Sequence, residues 1–251
     1  MNKILVIDGI INSSSLVSID HNNIIFNESG NYIIEYVNTR NVSISFYVEN
    51  GANVNLQEIS FDNDIVVNNN YIISSGTLTV NKFYSNKLVN ENIIASLNSE
   101  GAIFNYNFSS VCLLQEKYNI TINHNAKKSV SNINNRSVTL KNGKLDFIIN
   151  SNVLKNMNDS VLNQTTRVVT FDDSEASISP NMFIDCNQVM AKHGSVIGTI
   201  DENIIFYLMS RGIDYNTSLK LYIKGFLFAD SSVDFDIKNR IFKVIDMYWR
   251  W

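Results

Sequence analysis

Apolar and polar residues alternate one by one along most of this chain, up to about residue 197. In NVSISFYVENGANVNLQEISF, Val42, Ile44 and Phe46 are followed by Val54 and Leu56, with the turn ENGAN between the two runs. GTLTVNKF, EGAIFNYNFSSVCLL, YNITINHNA, RSVTLKNGKLDFIIN and TRVVTF repeat the style. Period-two alternation over short runs, bounded by Asn, Gly and Asp, predicts strands with one buried face. The turns recur roughly every ten residues, a spacing that fits a sandwich, a barrel or a solenoid.

The period changes near residue 199. Thr199-Ile-Asp-Glu202 has the form of a capping box, with Thr199 as the cap. Ile204, Ile205 and Leu208 then recur at helical spacing, and Gly212 after Arg211 reads as the stop. A second helix is expected from Asn216 or Thr217, carrying Leu219, Tyr222, Ile223 and Phe226. A third, in VDFDIKNRIFKVIDMYW, places Ile237, Ile241, Val244, Ile245 and Tyr248 on one face. The expected layout is a β part over residues 1–198 and a small helical part over residues 199–251, with no Pro, Gly or Ser linker between them.

Composition sharpens the β reading. The chain has 251 residues, 10 Gly and a single Pro, while Asn is abundant throughout. Asn tolerates left-handed backbone and takes turn positions that Gly often fills. Stacked Asn amides at the turns of successive coils are a use that a parallel β-helix offers, although Asn richness and alternation leave a sandwich equally open. The net charge of −4 excludes a basic nucleic-acid footprint. Cys112 and Cys186 are too few for a disulfide scaffold. The first apolar run is broken by Asp8 and is too short for a secretory signal, and no stretch is long enough to span a membrane. Cytoplasm is the expected compartment, so the sequons at Asn41 and Asn107 read as chance matches.

Common enzyme motifs are missing: there is no phosphate-binding P-loop, dinucleotide fingerprint, zinc-protease helix or nucleophile elbow. His21, His124 and His193 lie far apart in sequence. His193 stands beside Gly194 at the change of period, and imidazole is a common ligand for iron and zinc. Its plain alternative is a strand-end histidine bonded to backbone. His21, His124 and Cys112 read as core or turn residues.

KHGSVIGTIDENIIFYLMSRGI followed by SLKLYIKGF resembles the C-terminal signature of the SufB/SufD family of iron–sulfur cluster assembly proteins. The matching positions are His193, Gly194, Ser195, Gly198, Ile200 and Asp201, then Phe206 to Ile213, then Gly225 and Phe226. Upstream, NHNAKKSVSNI and VLNQTTRVVTFDDSEASISPNMFI resemble the strand region before that signature. SufB-like members read His-Glu-Ala after the histidine and SufD-like members His-Gly-Ala, so His193-Gly194-Ser195 resembles SufD. The resemblance implies a mainly β fold, a right-handed parallel β-helix followed by a helical domain. It also implies a scaffold that is not an enzyme by itself, paired with a SufB-like subunit through the β-helix and with the ATPase SufC through the C-terminal helices. No cofactor is expected to be tightly bound. Iron or a nascent cluster is expected transiently at the SufB–SufD interface, with His193 as a metal ligand there. Tyr207, Arg211, Gly212, Ile213, Gly225 and Phe226 are the expected SufC side.

The departures are specific. The family's N-terminal helical region has no counterpart here, and a Cys common two positions before the histidine is Ala191. Cys186 lies nearby without matching it. Arg211 and Gly212 read first as a helix end, Tyr207 and Phe226 as core aromatics, and Trp249 and Trp251 as a packing anchor or a partner surface. Two rivals stand beside this reading: an exported β-helix carbohydrate-active enzyme or adhesin, and a homodimeric scaffold acting without SufB.

Overall fold

The computed structural model describes residues 2–13, 18–61, 64–229 and 233–248. Its strands form two sheets. The first holds β1 (Asn2–Ile7), β2 (Ile10–Ser13), β5 (Gly30–Val37), β7 (Asn53–Phe61), β9 (Thr77–Ser85), β11 (Ile103–Cys112), β13 (Val130–Thr139), β15 (Ser160–Thr170) and β17 (Val189–Gly198). The second holds β3 (Ser18–Asp20), β4 (Asn23–Phe26), β6 (Asn41–Val48), β8 (Ile65–Ile73), β10 (Leu88–Leu97), β12 (Gln115–His124), β14 (Lys144–Val153) and β16 (Glu175–Ile184). From β4 onward the chain alternates between the sheets, and each strand pairs in parallel with the strand two elements later. The result is a parallel β-solenoid of about seven turns, the β-helix expected above.

Stacking of parallel strands explains the asparagines, in register at most steps and on the diagonal from Asn81 to Asn55, which stands level with Thr79. Asn55, Asn81, Asn107 and Asn134 each donate Nδ2 to the Oδ1 of the asparagine one coil earlier, starting from Asn31, at 3.2, 3.0, 3.0 and 3.0 Å. A second ladder runs Thr79–Asn105–Asn132–Asn163. These ladders lie on outward strand faces. The expected turn ladders exist only as short pairs, such as Asn98–Asn125 and Asn27–Asn50. The reason is geometric: parallel strands hold equivalent residues about 4.8 Å apart, a gap one amide spans. At the corners Asn38, Asn50 and Asn156 do take positive φ. Gly76 has φ +99°, and a Cβ there would meet the Ala52 carbonyl oxygen at 2.2 Å.

The interior is apolar and aromatic over most of its length, as the alternation demands. Val42, Ile44, Phe46, Val54 and Leu56 all point inward and are buried. A buried cluster of charges interrupts this interior. Lys82 Nζ lies 3.1 Å from Glu58 and 2.7 Å from Glu91, all three side chains fully buried. Tyr36 and Tyr71 donate to Glu58, and Tyr84 to Glu91. The ammonium also faces the rings of Tyr71, Tyr84 and Tyr106 at 5.3–5.7 Å. One coil on from Glu91, Glu116 takes hydrogen bonds from Ser110 and Tyr118, while its other oxygen has no partner among the described residues. Burial pushes its pKa up to about 8. His124, a core residue as expected, is held between Ser129 and Ser131 at 2.7 and 2.9 Å, and burial pushes its pKa down to about 4. Cys112 is buried, and its thiol is pushed up for the same reason.

Three helices follow: α1 (Glu202–Ser210), α2 (Tyr215–Leu227) and α3 (Phe235–Tyr248). Two caps differ from the sequence expectation. Asp201, not Thr199, caps α1, its carboxylate accepting from the Asn203 N–H. Asp214 caps α2 one to two residues earlier than expected, accepting from both the N–H and the hydroxyl of Thr217. In both places an aspartate carboxylate reaches the free N–H groups of the first turn. Gly212 stops α1 at φ +85°. Leu219, Ile223 and Leu227 of α2 and Ile237, Ile241 and Ile245 of α3 pack over the outer face of the first sheet, on Ile33, Ile59, Phe83, Val111, Val138 and Val169. Val244 is half-buried, and the Tyr248 side chain, Trp249 and Trp251 lie outside the described residues. Ser109 bonds the Leu227 carbonyl at 2.6 Å, and Arg240 pairs with Glu35. No helix among the described residues is long and apolar enough to cross a membrane.

Two outcomes follow from the buried charges. Lys82→Met leaves the Glu58 and Glu91 carboxyls buried without their cation; equilibrium denaturation is expected to show a loss of about 3–5 kcal/mol. The second concerns pH. Between pH 4.5 and 8 folded Glu116 holds a proton that the unfolded chain has released, so it lowers stability as pH rises. Between pH 6.5 and 4 the unfolded chain binds a proton that folded His124 refuses, so it lowers stability as pH falls. The two effects oppose one another below pH 6.5. From pH 6.5 to 8 Glu116 acts without that opposition, at up to about 1.4 kcal/mol per pH unit. Thermal melts are expected to fall across that window, and Glu116→Gln to flatten them.

Candidate functional site

The two ends of the solenoid are built differently. At the N-terminal end each sheet finishes on a short antiparallel strand, β2 on β1 and β3 on β4, four and three residues long. At the C-terminal end β17 and β16 are the last strands of their sheets, each ten residues long, and no strand among the described residues pairs beyond them. The alternation of buried positions that runs through the earlier strands fades in β16 and vanishes in β17. Phe183, Met190, Val196 and Ile197 are all exposed there. An unpaired strand edge offers a row of backbone donors and acceptors, a ready template for another chain.

His193 occupies this end. It is mid-strand in β17 rather than at a strand end, and its ring has no hydrogen bond among the described residues. The register places it on one interior column: Tyr32, Leu56, Val80, Tyr106, Ile133, Gln164, His193. Parallel partners point to the same face, so His193 faces the solenoid interior. It is exposed because no coil stacks on top of it. The neighbouring column runs Phe108, Asn135, Thr166, Ser195. These two columns thus turn polar over their last two or three rungs. Gln164 and Asn135 are buried there with one amide oxygen each unpartnered. Gln164 donates to Ser151 across the interior at 2.7 Å, and Asn135 to Thr166 at 3.1 Å.

Cys186 is not brought to His193. It sits in the corner between β16 and β17, in a polar groove of about 450 Å3 with Lys155, Asn158 and Asp185. Its thiol donates to Asn158 Oδ1 at 3.0 Å. The strand from Val189 to His193 alone covers roughly 13 Å. Among the described residues no three His, Cys, Asp or Glu side chains gather to hold a metal ion. Ala191 stands on the interior column beside that of His193, and its methyl has no ligand chemistry.

The helical candidates divide into two places. Tyr207, expected in the core, is 57% exposed on α1, with the Arg211 guanidinium over its ring at 5.2 Å. Of the expected α1 stripe only Ile205 is buried, because α1 packs against α2 and leaves its other sides open. Gly212 and half-buried Ile213 follow directly. Gly225 and Phe226 lie at the far end of α2, roughly 15 Å along its axis from Tyr215. Phe226 is half-buried, packed on the helix–sheet core under Arg136. Sequence reasoning missed the apolar groove beside α1, about 510 Å3, lined by Phe171, Ile200, Phe206, Met209 and Tyr215 among others. Its signal was present in ENIIFYLMS, a helix too apolar all round for one buried stripe.

Comparison with known proteins gives one family. The SufBD core domain of the SUF system for FeS cluster assembly matches residues 10–226. The match spans most of the chain, and the chain belongs to this family. No curated protein matches it. Membership assigns the chain a role in iron–sulfur cluster assembly within the SUF system, among scaffold-type components rather than classical enzymes.

Proposed function

We propose that this member of the SufBD core family is a SufD-like scaffold subunit. Its solenoid end pairs with a SufB-like subunit, its helices dock a SufC-like ATPase, and the interface handles iron or a nascent cluster as cargo. The observation that carries this reading is the bare C-terminal end of the solenoid. Two unpaired strand edges and an uncovered interior face outward together, and His193 stands in that opening. The contrast is one of length: the N-terminal edge strands have four and three residues against ten each at this end, and very short edge strands are one way natural sheets avoid pairing.

Gly194-Ser195 after His193 supports the SufD side of the family. One imidazole cannot hold a cluster, so the other ligands come from the partner across the edge. The ATPase side is α1 and the turn after it: Phe206, Tyr207 and Met209 are exposed, and Arg211 is stacked on Tyr207. Gly225 and Phe226 contribute from the other end of α2 or support that surface from beneath. The division into a β-helix over 1–198 and a helical part over 199–251 gives each partner its own surface. ATP-driven closure of two ATPase subunits, pulling on the helices, would reach the cargo site through Gly198 and the short link to α1.

Co-expression with SufB-like and SufC-like subunits tests the reading; a chain that purifies only as a homodimer defeats the paired form. Ile197→Glu puts a carboxylate on the interior face of the edge strand and is expected to cost the SufB-like partner at least tenfold in affinity. Phe206→Asp is expected to release the ATPase, by about 30-fold, while the SufB-like partner stays. His193→Ala is expected to keep both partners and lose cluster yield in reconstitution. An unchanged yield removes His193 from the cargo site and leaves the scaffold reading standing.

A further inference from the structure

Gln164 sits one rung below His193 in the same interior column. It is 3% exposed. Its amide nitrogen is fixed across the interior, 2.7 Å from Ser151 Oγ and 3.4 Å from the Asn181 carbonyl oxygen. Ser151 can donate as well as accept, but the Asn181 carbonyl oxygen only accepts, so that contact keeps the amide nitrogen on this side. Its oxygen is left as an acceptor, and that oxygen has no partner among the described residues. A buried acceptor without a donor costs about 1–3 kcal/mol, so such a group calls for a physical explanation.

The adjacent rung supplies the complement. A neutral imidazole always carries one N–H, and the His193 ring has no hydrogen bond among the described residues. The two residues are directly paired in a parallel ladder, on the same face, about 4.8 Å apart at the backbone. An orphan acceptor and an orphan donor therefore face the same space, with only side-chain rotation of an exposed ring between them.

We infer that Gln164 is a positioning residue for His193: its Oε1 accepts the ring N–H and so fixes which ring nitrogen stays bare. Histidines that ligate metals commonly donate their other N–H to a carbonyl or carboxylate, which sets the tautomer and the ring orientation. Here the acceptor comes from the preceding coil, and the bare nitrogen is turned toward the open edge. The use of that nitrogen as a ligand rests on the scaffold reading above. The hydrogen bond itself does not.

The test reads the tautomer in the full chain. Long-range proton–nitrogen spectra of histidine-labelled protein, recorded where the rings are neutral, report which nitrogen carries the proton, and His193→Ala assigns the signal. The wild-type ring is expected to be held mainly in one tautomer. Gln164→Leu is expected to release it toward the mixture of free imidazole, whereas Gln164→Glu, which keeps an acceptor, is expected to hold it. Ring nitrogen shifts unchanged in Gln164→Leu overturn the proposal. If the Leu variant does not fold, loss of the tautomer in Gln164→Glu overturns it instead. A ferrous iron titration, with no partner or cluster chemistry needed, is expected to weaken about 10- to 100-fold in Gln164→Leu if the nitrogen is a ligand. A tautomer shift without any change in iron binding keeps the positioning role and removes the ligand reading. Unchanged tautomers remove the positioning role whatever the iron titration shows.

Discussion

The constraint on which this molecule depends is in-register parallel stacking. Each strand satisfies its backbone on the strand one coil before and one coil after, so every side chain stands on an equivalent side chain. Columns follow from that: asparagine on asparagine outside, apolar on apolar inside. Stacking has no internal stop. Here it ends on short antiparallel strands at β2 and β3 and on full-length parallel strands at β16 and β17. The open end is thus a consequence of the same rule that builds the rest, and whatever stands on the last rung is presented to a partner.

Polar groups inside the solenoid bear on uniqueness more than on gross stability. Lys82 between Glu58 and Glu91 occupies a volume that apolar side chains of similar size could fill at similar or lower free energy. What the cluster adds is register. A one-residue slip turns Lys82 outward and leaves both carboxylates inside without it. The helices hold the outer face in the same spirit, through Ser109 on the Leu227 carbonyl and Arg240 on Glu35. Unpartnered buried oxygens occur along the interior among the described residues, at Asn69, Glu91 and Glu116 as at Asn135 and Gln164; what sets Gln164 apart is that its neighbour on the next rung is an exposed histidine.

Much of this was legible in the chain itself. Alternation marked the inward residues, Val42 to Leu56 among them, because burial of one strand face leaves a period of two. The same parity puts Glu58 after Leu56 and Lys82 after Val80 on the inward face. The internal ion pair was therefore visible as a charge at a core position, but its partner across the interior, Glu91, was not. The caps were misjudged by a residue or two because Thr199 and Asp201 both suit the role and only backbone geometry chooses between them. Tyr207 was assigned to the core because an aromatic on an apolar helix reads as buried; whether a neighbour covers it is a tertiary matter.

Composition and periodicity by themselves determined that this chain is a run of short half-buried strands followed by three helices, since burial and capping act on residues near one another in sequence. They also marked His193, where the period changes. Only the tertiary structure decided that His193 faces the interior, that Gln164 lies beneath it, that Cys186 lies far from it, and that nothing covers the last coil. Those relations join residues 24 to 31 positions apart, one coil's length. Coil length depends on corners whose sizes no local pattern reveals, and it sets which side chain stands on which.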